Sequence, residues 1–252
     1  MRTYVFLDLD DTIFQTRGKC SPNEKSTLVP AAFHRDGSPL SYMSARQRHL
    51  FEWLSASATV IPVTARSESA FRRVQLPFGH GAILDFGGVV LLPDGRLDEE
   101  WDQKIRPVVM PLGDDLARIQ SAWQATSDAR SLGARVRIIS DFDLPLYVVA
   151  KHPDGNVAAL MQLLQEHVSP TLGERFFVHF NDNNLSVVPR CLGKQRAVKY
   201  VLERCSNGES VLTLGLGDSL SDMAFLTICD FAMIPRNSQL QRALLACGET
   251  PA

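Results

Sequence analysis

Short apolar runs alternate along the chain with polar segments and stretches of helical spacing. Residues 5–7 are a continuous apolar run, and residues 59–63 and 211–216 are largely apolar runs; all three are typical of buried strands. Helical patterns lie at residues 44–54, before the second run, and at 195–205 and 223–228, on either side of the third. This alternation predicts an α/β fold whose core is a Rossmann-like, doubly wound parallel sheet.

The pattern changes between residues 98 and 180. Strand-like runs at 136–140, 146–150 and 176–180 lie among two stretches of helical spacing, 112–132 and 157–168. This arrangement is typical of an α+β unit inserted into an α/β domain. We expect a catalytic core formed by residues 1–84 and 186–252, and an inserted cap formed by residues 85–185.

The first apolar run ends in acids and a hydroxyl, namely Asp8, Asp10, Asp11 and Thr12. In open parallel sheets, ligands bind at the carboxyl ends of the strands, and clustered oxygen ligands suit Mg²⁺. The segment therefore predicts a site with a metal ion and a nucleophile. The alternative is that Asp10, Asp11 and Thr12 only turn the chain and cap a helix.

Polar residues also follow the other two runs. Thr64 and Arg66 follow the second run, where they would hold a phosphate. The alternative for Thr64 is that it caps the next helix. Asp218 and Asp222 follow the third, and capping is the alternative for Asp222. Lys194 begins a predicted helix, where the helix dipole disfavours a cation, so it indicates a nearby anion unless it is simply solvated.

The order of these motifs resembles that of the haloacid dehalogenase superfamily of phosphotransferases, in its sugar-phosphatase branch. Asp8-x-Asp10-x-Thr12 looks like the first motif, Thr64 the second, Lys194 the third and Gly217-Asp218-x-x-x-Asp222 the fourth. That branch carries its cap between the second and third motifs, as this chain does. Residues 85–88 are similar to the Asn-Gly-Gly/Ala segment of the branch, with Phe86 in place of the asparagine.

The resemblance implies a reaction through an aspartyl-phosphate on Asp8. Asp10 would protonate the leaving oxygen and then deprotonate the attacking water. The implied cofactor is Mg²⁺, held by Asp8, by the backbone carbonyl of Asp10 and by Asp218. Thr64 would hold the transferring oxygens, and Lys194 would add positive charge.

The remaining candidates have supporting roles. Asp222 would orient Lys194 or the water shell of the metal, and Arg66 would contact the substrate unless it is structural. Further candidate substrate contacts are Gly87, Gly88, Lys151, Asn181 and Asn183, and a turn is the alternative role for the asparagines and the lysine.

Residues 15–41 are rich in Pro, Gly, Ser and charge, which predicts a loop or flap with a hairpin around Asp36-Gly37. Arg17, Lys19, Lys25 and Arg35 would meet an anion there, or would be solvated.

Composition narrows the choice of partners. The 252 residues are 45% hydrophobic and 21% charged, with a net charge of −2, so neither a nucleic acid nor a membrane is an expected partner. No leader sequence is recognised, and five cysteines without a Cys-x-x-Cys pair favour a reducing compartment, which predicts a cytoplasmic protein. Oligomeric state is not predicted.

Together these features predict a Mg²⁺-dependent phosphatase for a small phosphorylated metabolite, above all a sugar phosphate. The alternatives are a phosphomutase of the same architecture and a non-enzymatic module that accepts a phosphoryl group.

Overall fold

The structure is a computed structural model that describes residues 1–167 and 170–248. Its strands are β1 (Thr3–Leu7), β2 (Gln15–Thr16), β3 (Val29–Phe33), β4 (Pro39–Met43), β5 (Thr59–Pro62), β6 (Ala82–Leu84), β7 (Val89–Leu91), β8 (Arg135–Asp141), β9 (Leu144–Lys151), β10 (Phe176–Asn181), β11 (Asn184–Pro189), β12 (Leu212–Leu216) and β13 (Phe231–Met233). Its α-helices are α1 (Ala45–Ser57), α2 (Glu68–Phe71), α3 (Glu99–Val109), α4 (Gly113–Ala129), α5 (Val157–His167), α6 (Pro170–Arg175), α7 (Lys194–Ser206), α8 (Met223–Leu226) and α9 (Gln239–Gly248). The predicted helix end at Val168 and the last predicted core residues, 249–252, lie outside the described residues.

The chain divides into two compact units. Unit 1 consists of Met1–Asp98 and Lys194–Ala252, and unit 2 of Glu99–Gly193. Both divisions fall later than the predicted 84/85 and 185/186. Hairpin β6–β7 belongs to unit 1, where an isolated parallel bridge joins Ile83 to Val63, whereas β11 pairs with β9 and β10 in unit 2. That unit 2 acts as a cap stays a prediction.

The core of unit 1 is a parallel sheet with the strand order β13-β12-β1-β5. Every residue from Tyr4 to Leu7 in the central strand β1 is at most 5% exposed. Helices α1, α7 and α8 lie between strands along the chain, and side chains of α1 pack into the same apolar cluster as those of β1. The predicted α/β fold with a parallel core and an inserted α+β unit is confirmed.

The flap, residues 15–43, is more ordered than the predicted loop. It forms a three-stranded antiparallel sheet in the order β2-β4-β3, and the predicted hairpin turns at Gly37, whose φ is +82°. Strand β4 leads into α1, which begins with a reciprocal cap between Ser44 and Gln47. The Gln47 Nε2 also donates to the carbonyl of Thr12 at 3.4 Å, so the start of α1 is tied to the first acidic loop.

Unit 2 contains an antiparallel sheet in the order β10-β11-β9-β8. Its core is formed by apolar residues of that sheet together with Leu116 and Trp123 of α4 and Leu160 and Leu163 of α5. No helix in residues 1–167 or 170–248 has the length and apolar character needed to cross a bilayer.

Candidate active site

Backbone pairing brings the ends of three strands together. The amide of Asp8 donates to the carbonyl of Leu216 at 2.8 Å, and the amide of Val63 donates to the last carbonyl of β1 at 2.8 Å. Asp8, Thr64 and Asp218 therefore lie just beyond neighbouring parallel strands, at one edge of the sheet. The sequence predicted this arrangement because the carboxyl ends of parallel strands share an edge.

Lys194, the first residue of α7, is only 3% exposed. Its Nζ lies 2.7 Å from Asp8 Oδ1 and 2.5 Å from Asp222 Oδ1. Burial favours the neutral amine, but the attraction of Asp222 and Asp8 outweighs burial and raises the pKa of Lys194. The alternative of a solvated lysine is wrong, and the anions that its position indicated are these two carboxylates.

Asp222 orients Lys194 and is hydrogen-bonded within the loop in which it lies. Its Oδ2 accepts from the amides of Asp218 at 3.1 Å and Ser219 at 2.9 Å, and from the Ser219 hydroxyl at 2.7 Å. The side chain makes no capping bond to α8, so the capping alternative is wrong. Gly217 permits this packing, because a Cβ there would lie 2.6 Å from the Cβ of Asp222.

The hydroxyl of Thr12 lies between two of the acids. Its Oγ1 is 2.9 Å from Asp8 Oδ2 and 3.5 Å from Asp218 Oδ1. No helix begins here, so the helix-capping alternative for the first acidic loop is wrong, although Asp11 does turn the chain with a φ of +61°.

Three buried carboxylates converge, since one oxygen each of Asp8, Asp218 and Asp222 lie within 4.8 Å of one another. Burial and the charge of Asp222 raise the pKa of Asp8, although Lys194 opposes this, and they raise the pKa of Asp218 to about 7. Burial is the larger cause of both shifts, and the repulsion from Asp222 adds to each. Carboxylate oxygens are the donors that Mg²⁺ prefers, so the residues present fit this ion.

The structure distinguishes between the candidate ligands. Asp222 has one oxygen on Lys194 and the other on three donors of the 218–219 loop. Asp8 Oδ2 and Asp218 Oδ1 instead both lie near the one hydroxyl of Thr12, so Asp8 and Asp218 are better placed as metal ligands. The carboxylate of Asp10 points to Arg66 instead, as described next. Contact between its backbone carbonyl and a metal stays a prediction.

Arg66 makes a two-pronged ion pair with Asp10. The Arg66 Nε lies 2.6 Å from Asp10 Oδ2 and the Nη2 lies 2.7 Å from Oδ1. The guanidinium also lies 5.0 Å from the centre of the Phe14 ring. Burial opposes the charge of Arg66, but the attraction of Asp10 outweighs it and raises the pKa of Arg66. Arg66 therefore orients Asp10, and its contact with a substrate stays a prediction.

Thr64 is buried beside the turn that contains Gly87 and Gly88. Its Oγ1 accepts from the amide of Arg66 at 3.1 Å, which leaves its own hydrogen for another acceptor. Its carbonyl accepts from the amide of Phe86 at 3.2 Å. The turn therefore lies next to the Thr64 loop, and substrate contacts from its glycines stay predictions.

The same turn has an unusual backbone that the sequence did not reveal. Asp85, Phe86 and Gly87 have φ values of 52°, 56° and 92°, and the first two are non-glycine residues in the left-handed region. Each such residue costs about 1–2 kcal/mol. Strain of this kind is often kept at functional sites.

The remaining candidates lie in unit 2. Lys151 ends β9 and Asn181 ends β10, and their substrate contacts stay predictions. Asn183 has a structural use, because its Oδ1 accepts from the amide of His152 and its Nδ2 donates to the carbonyl of His152, both at 2.8 Å. The turn role that the sequence left open therefore describes Asn183 better.

Comparison with known proteins shows what this fold resembles. No protein-family model matches the sequence, and no curated protein matches it. The structure resembles the C-terminal domain of trehalose-6-phosphate phosphatase from C. albicans, with a TM-score of 0.55 and 15% identity, covering 90% of this chain and 73% of that one. It also resembles the sucrose-phosphatase of Synechocystis sp., solved with sucrose and phosphate, with a TM-score of 0.52 and 17% identity, covering 100% of this chain and 90% of that one. The chain thus has the fold that the resemblance to the haloacid dehalogenase superfamily implies.

Proposed function

We propose that this chain is a Mg²⁺-dependent phosphatase that hydrolyses the phosphate monoester of a small metabolite, above all a sugar phosphate, through an aspartyl-phosphate on Asp8. The observation that carries the proposal is the buried contact of Asp8 with Lys194 beside Asp218, at the carboxyl edge of the parallel sheet. The two neighbours in fold are phosphatases of sugar phosphates, which supports the same substrate class.

The carboxylate of Asp8 has the fixed orientation that a nucleophile needs. One oxygen accepts from Lys194 and the other from the hydroxyl of Thr12, which fixes the plane of the carboxylate. A carboxylate and a phosphate dianion repel each other, and the ammonium of Lys194 reduces that repulsion. The hydroxyl of Thr64 has a hydrogen to donate to a phosphoryl oxygen.

The charges of the site support a divalent cation. Five carboxylates of this region, Asp8, Asp10, Asp11, Asp218 and Asp222, accompany three cations, Lys19, Arg66 and Lys194. One Mg²⁺ would balance the excess negative charge. Asp8 and Asp218 would hold it, and when bound it would supply a Lewis acid that draws charge from the phosphoryl oxygens.

Asp10 is suited to proton transfer. Its side chain is 48% exposed, unlike the buried Asp8, Asp218 and Asp222, so a leaving group from solvent can reach it. The two bonds from Arg66 fix its direction. We assign Asp10 as the group that gives a proton to the leaving oxygen and then takes one from the attacking water.

The test is phosphate release from a panel of sugar monophosphates, nucleotides and phosphoglycerates, with and without Mg²⁺. We expect release that requires Mg²⁺, that is lost in Asp8→Asn, and that persists in Asp36→Asn, a matched change in the exposed flap hairpin. Thermal stabilisation by Mg²⁺ should be lost in Asp218→Asn.

The products separate the alternatives. A sugar isomer that appears only with a bisphosphate activator would indicate a phosphomutase. Phosphorylation of Asp8 without turnover would indicate a phospho-accepting module. Full activity in Asp8→Asn would overturn the proposal.

A further inference from the structure

The flap places a lysine beside the catalytic loop. Lys19 ends the 3-10 turn Arg17–Lys19, which directly follows β2 in the flap. The Nζ of Lys19 forms an ion pair with Asp11 Oδ2. Asp11 belongs to the first acidic loop, so this ion pair ties Lys19 to the loop that carries Asp8 and Asp10.

The turn that carries Lys19 is anchored on both sides. Thr16 pairs with Ser41 of β4 just before the turn. Just after it, the amide of Cys20 donates to the carbonyl of Arg17 at 3.3 Å, and the Cys20 side chain is buried. Lys19 is therefore presented by a fixed element.

The charge of Lys19 reaches the metal-binding acids. Asp11 raises the pKa of Asp218 and Lys19 lowers it, although burial and Asp222 are the larger causes of the net rise to about 7. The ion pair to Asp11 places Lys19 beside the first acidic loop, within unit 1.

Lys19 differs from Lys194 in how firmly it is held. The side chain of Lys194 is 3% exposed between two buried acids, whereas those of Lys19 and Asp11 are 38% and 21% exposed. An ion pair so close to solvent contributes on the order of 1 kcal/mol or less. Lys19 can therefore exchange Asp11 for an anion of the substrate at little cost, which Lys194 cannot do.

We propose that Lys19 recognises a second anionic group on the substrate. The preferred substrate class is then a phosphate monoester that also carries a carboxylate. This inference rests on the proposed function and makes its substrate class narrower. The reacting phosphate meets Asp8 and Lys194, and the second anion meets Lys19 near the leaving-group side of Asp10.

The experiment uses the full chain with Mg²⁺ and two matched pairs of substrates. They are sorbitol 6-phosphate with 6-phosphogluconate, and glycerol 3-phosphate with 3-phosphoglycerate; in each pair a CH2OH group of the first compound is a carboxylate in the second. The variants are Lys19→Gln, Lys19→Arg and the control Lys25→Gln, which removes an exposed lysine elsewhere in the flap.

We expect the KM of the wild type to be lower for the carboxylate member of at least one pair. Lys19→Gln should raise that KM about tenfold, as for loss of one hydrogen bond between charged groups, with little change in kcat. The KM of the member without the carboxylate should rise much less, so that the preference is lost; Lys19→Arg should retain the preference, and Lys25→Gln should behave as the wild type does.

Equal KM values within both pairs would overturn the inference. An equal rise in KM for both members of a pair in Lys19→Gln would also overturn it, because Lys19 would then only tie the turn to Asp11. Calorimetric binding of the same four compounds to Asp8→Asn tests Lys19 without turnover. Lys19-dependent binding without phosphate release by the wild type would refute the proposed function alone.

Discussion

Lys194 and Asp222 form a buried ion pair of 2.5 Å between the start of α7 and the loop after β12. Because Lys194 also contacts Asp8, this pair sets the position of the positive charge beside the proposed nucleophile. The loop of Asp8 and the loop of Asp222 are distant in sequence and thus share the positive charge of Lys194, on which the stability of the site depends.

Replacing Lys194 by Met should destabilise the protein strongly. The change leaves Asp8 and Asp222 buried without their cation, which costs about 3–5 kcal/mol for a broken buried pair. Urea unfolding without metal measures this loss. Lys199→Met is the matched control on the same helix, since Lys199 is 73% exposed and 3.9 Å from Glu203. Equal effects of the two changes would contradict the assigned role of Lys194.

Gly217→Ala should disturb the same pair from the other side. The new Cβ would meet the Cβ of Asp222 at 2.6 Å, so Asp222 must move away from the Lys194 side chain. We expect a loss of about 1–3 kcal/mol in stability, as for overpacking, together with a fall in kcat. At Gly79 no atom lies within 4 Å of an added Cβ, so Gly79→Ala should change neither quantity. An active, stable Gly217→Ala variant would show that the position of Asp222 is not critical.

Arg66→Lys tests how Asp10 is oriented. A lysine keeps the charge but cannot form both bonds to the carboxylate, so kcat should fall about 10-fold to 100-fold with little change in KM. Arg72→Lys, an exposed change on the neighbouring segment, serves as control. A raised KM with unchanged kcat would instead show that Arg66 contacts the substrate.

His167 should make stability depend on pH below neutrality. Its ring lies 5.6 Å from that of Trp123, its Nε2 is 2.9 Å from Thr126 Oγ1, and burial lowers its pKa. The unfolded chain then binds the proton more readily than the folded one, so this stability is fully present above the ordinary histidine pKa and is lost as the pH falls from there through the lowered pKa of the folded state.

Urea unfolding of the full chain, followed by tryptophan fluorescence between pH 7.5 and 5.5, measures this dependence. His167→Gln should flatten the curve, and the exposed change His80→Gln should not. An unchanged slope in His167→Gln would assign the dependence to other groups.

The residues at the strand ends could be predicted from the sequence, because the direction of the strands alone determines at which edge of the sheet they lie. Asp8, Thr64 and Asp218 each follow a buried apolar run, and parallel strands must share their carboxyl edge. The ion pairs of Arg66 with Asp10 and of Lys19 with Asp11 join side chains from different segments. The hydrophobic pattern of a sequence does not predict such contacts. The strained turn at Asp85 and Phe86 is hidden for the same reason.

Helix α3 shows a different limit. Its buried residues Trp101, Ile105 and Val109 have helical spacing, yet the helix was not predicted, and Pro107 lies inside it. A proline in a helix removes a hydrogen-bond donor and crowds the preceding turn, which makes it a breaker in most sequences. The helix forms nevertheless, with one face buried in unit 2.

The most direct test of the account is whether Asp8 becomes phosphorylated during turnover. The protein would be mixed with para-nitrophenyl phosphate and Mg²⁺, quenched in acid and reduced with borohydride, which converts an aspartyl-phosphate to homoserine. Mass spectrometry of the tryptic peptide 3–17 then locates the change. The account predicts homoserine at position 8 and none at positions 10 or 11. Phosphate release with an unmodified Asp8 would contradict it.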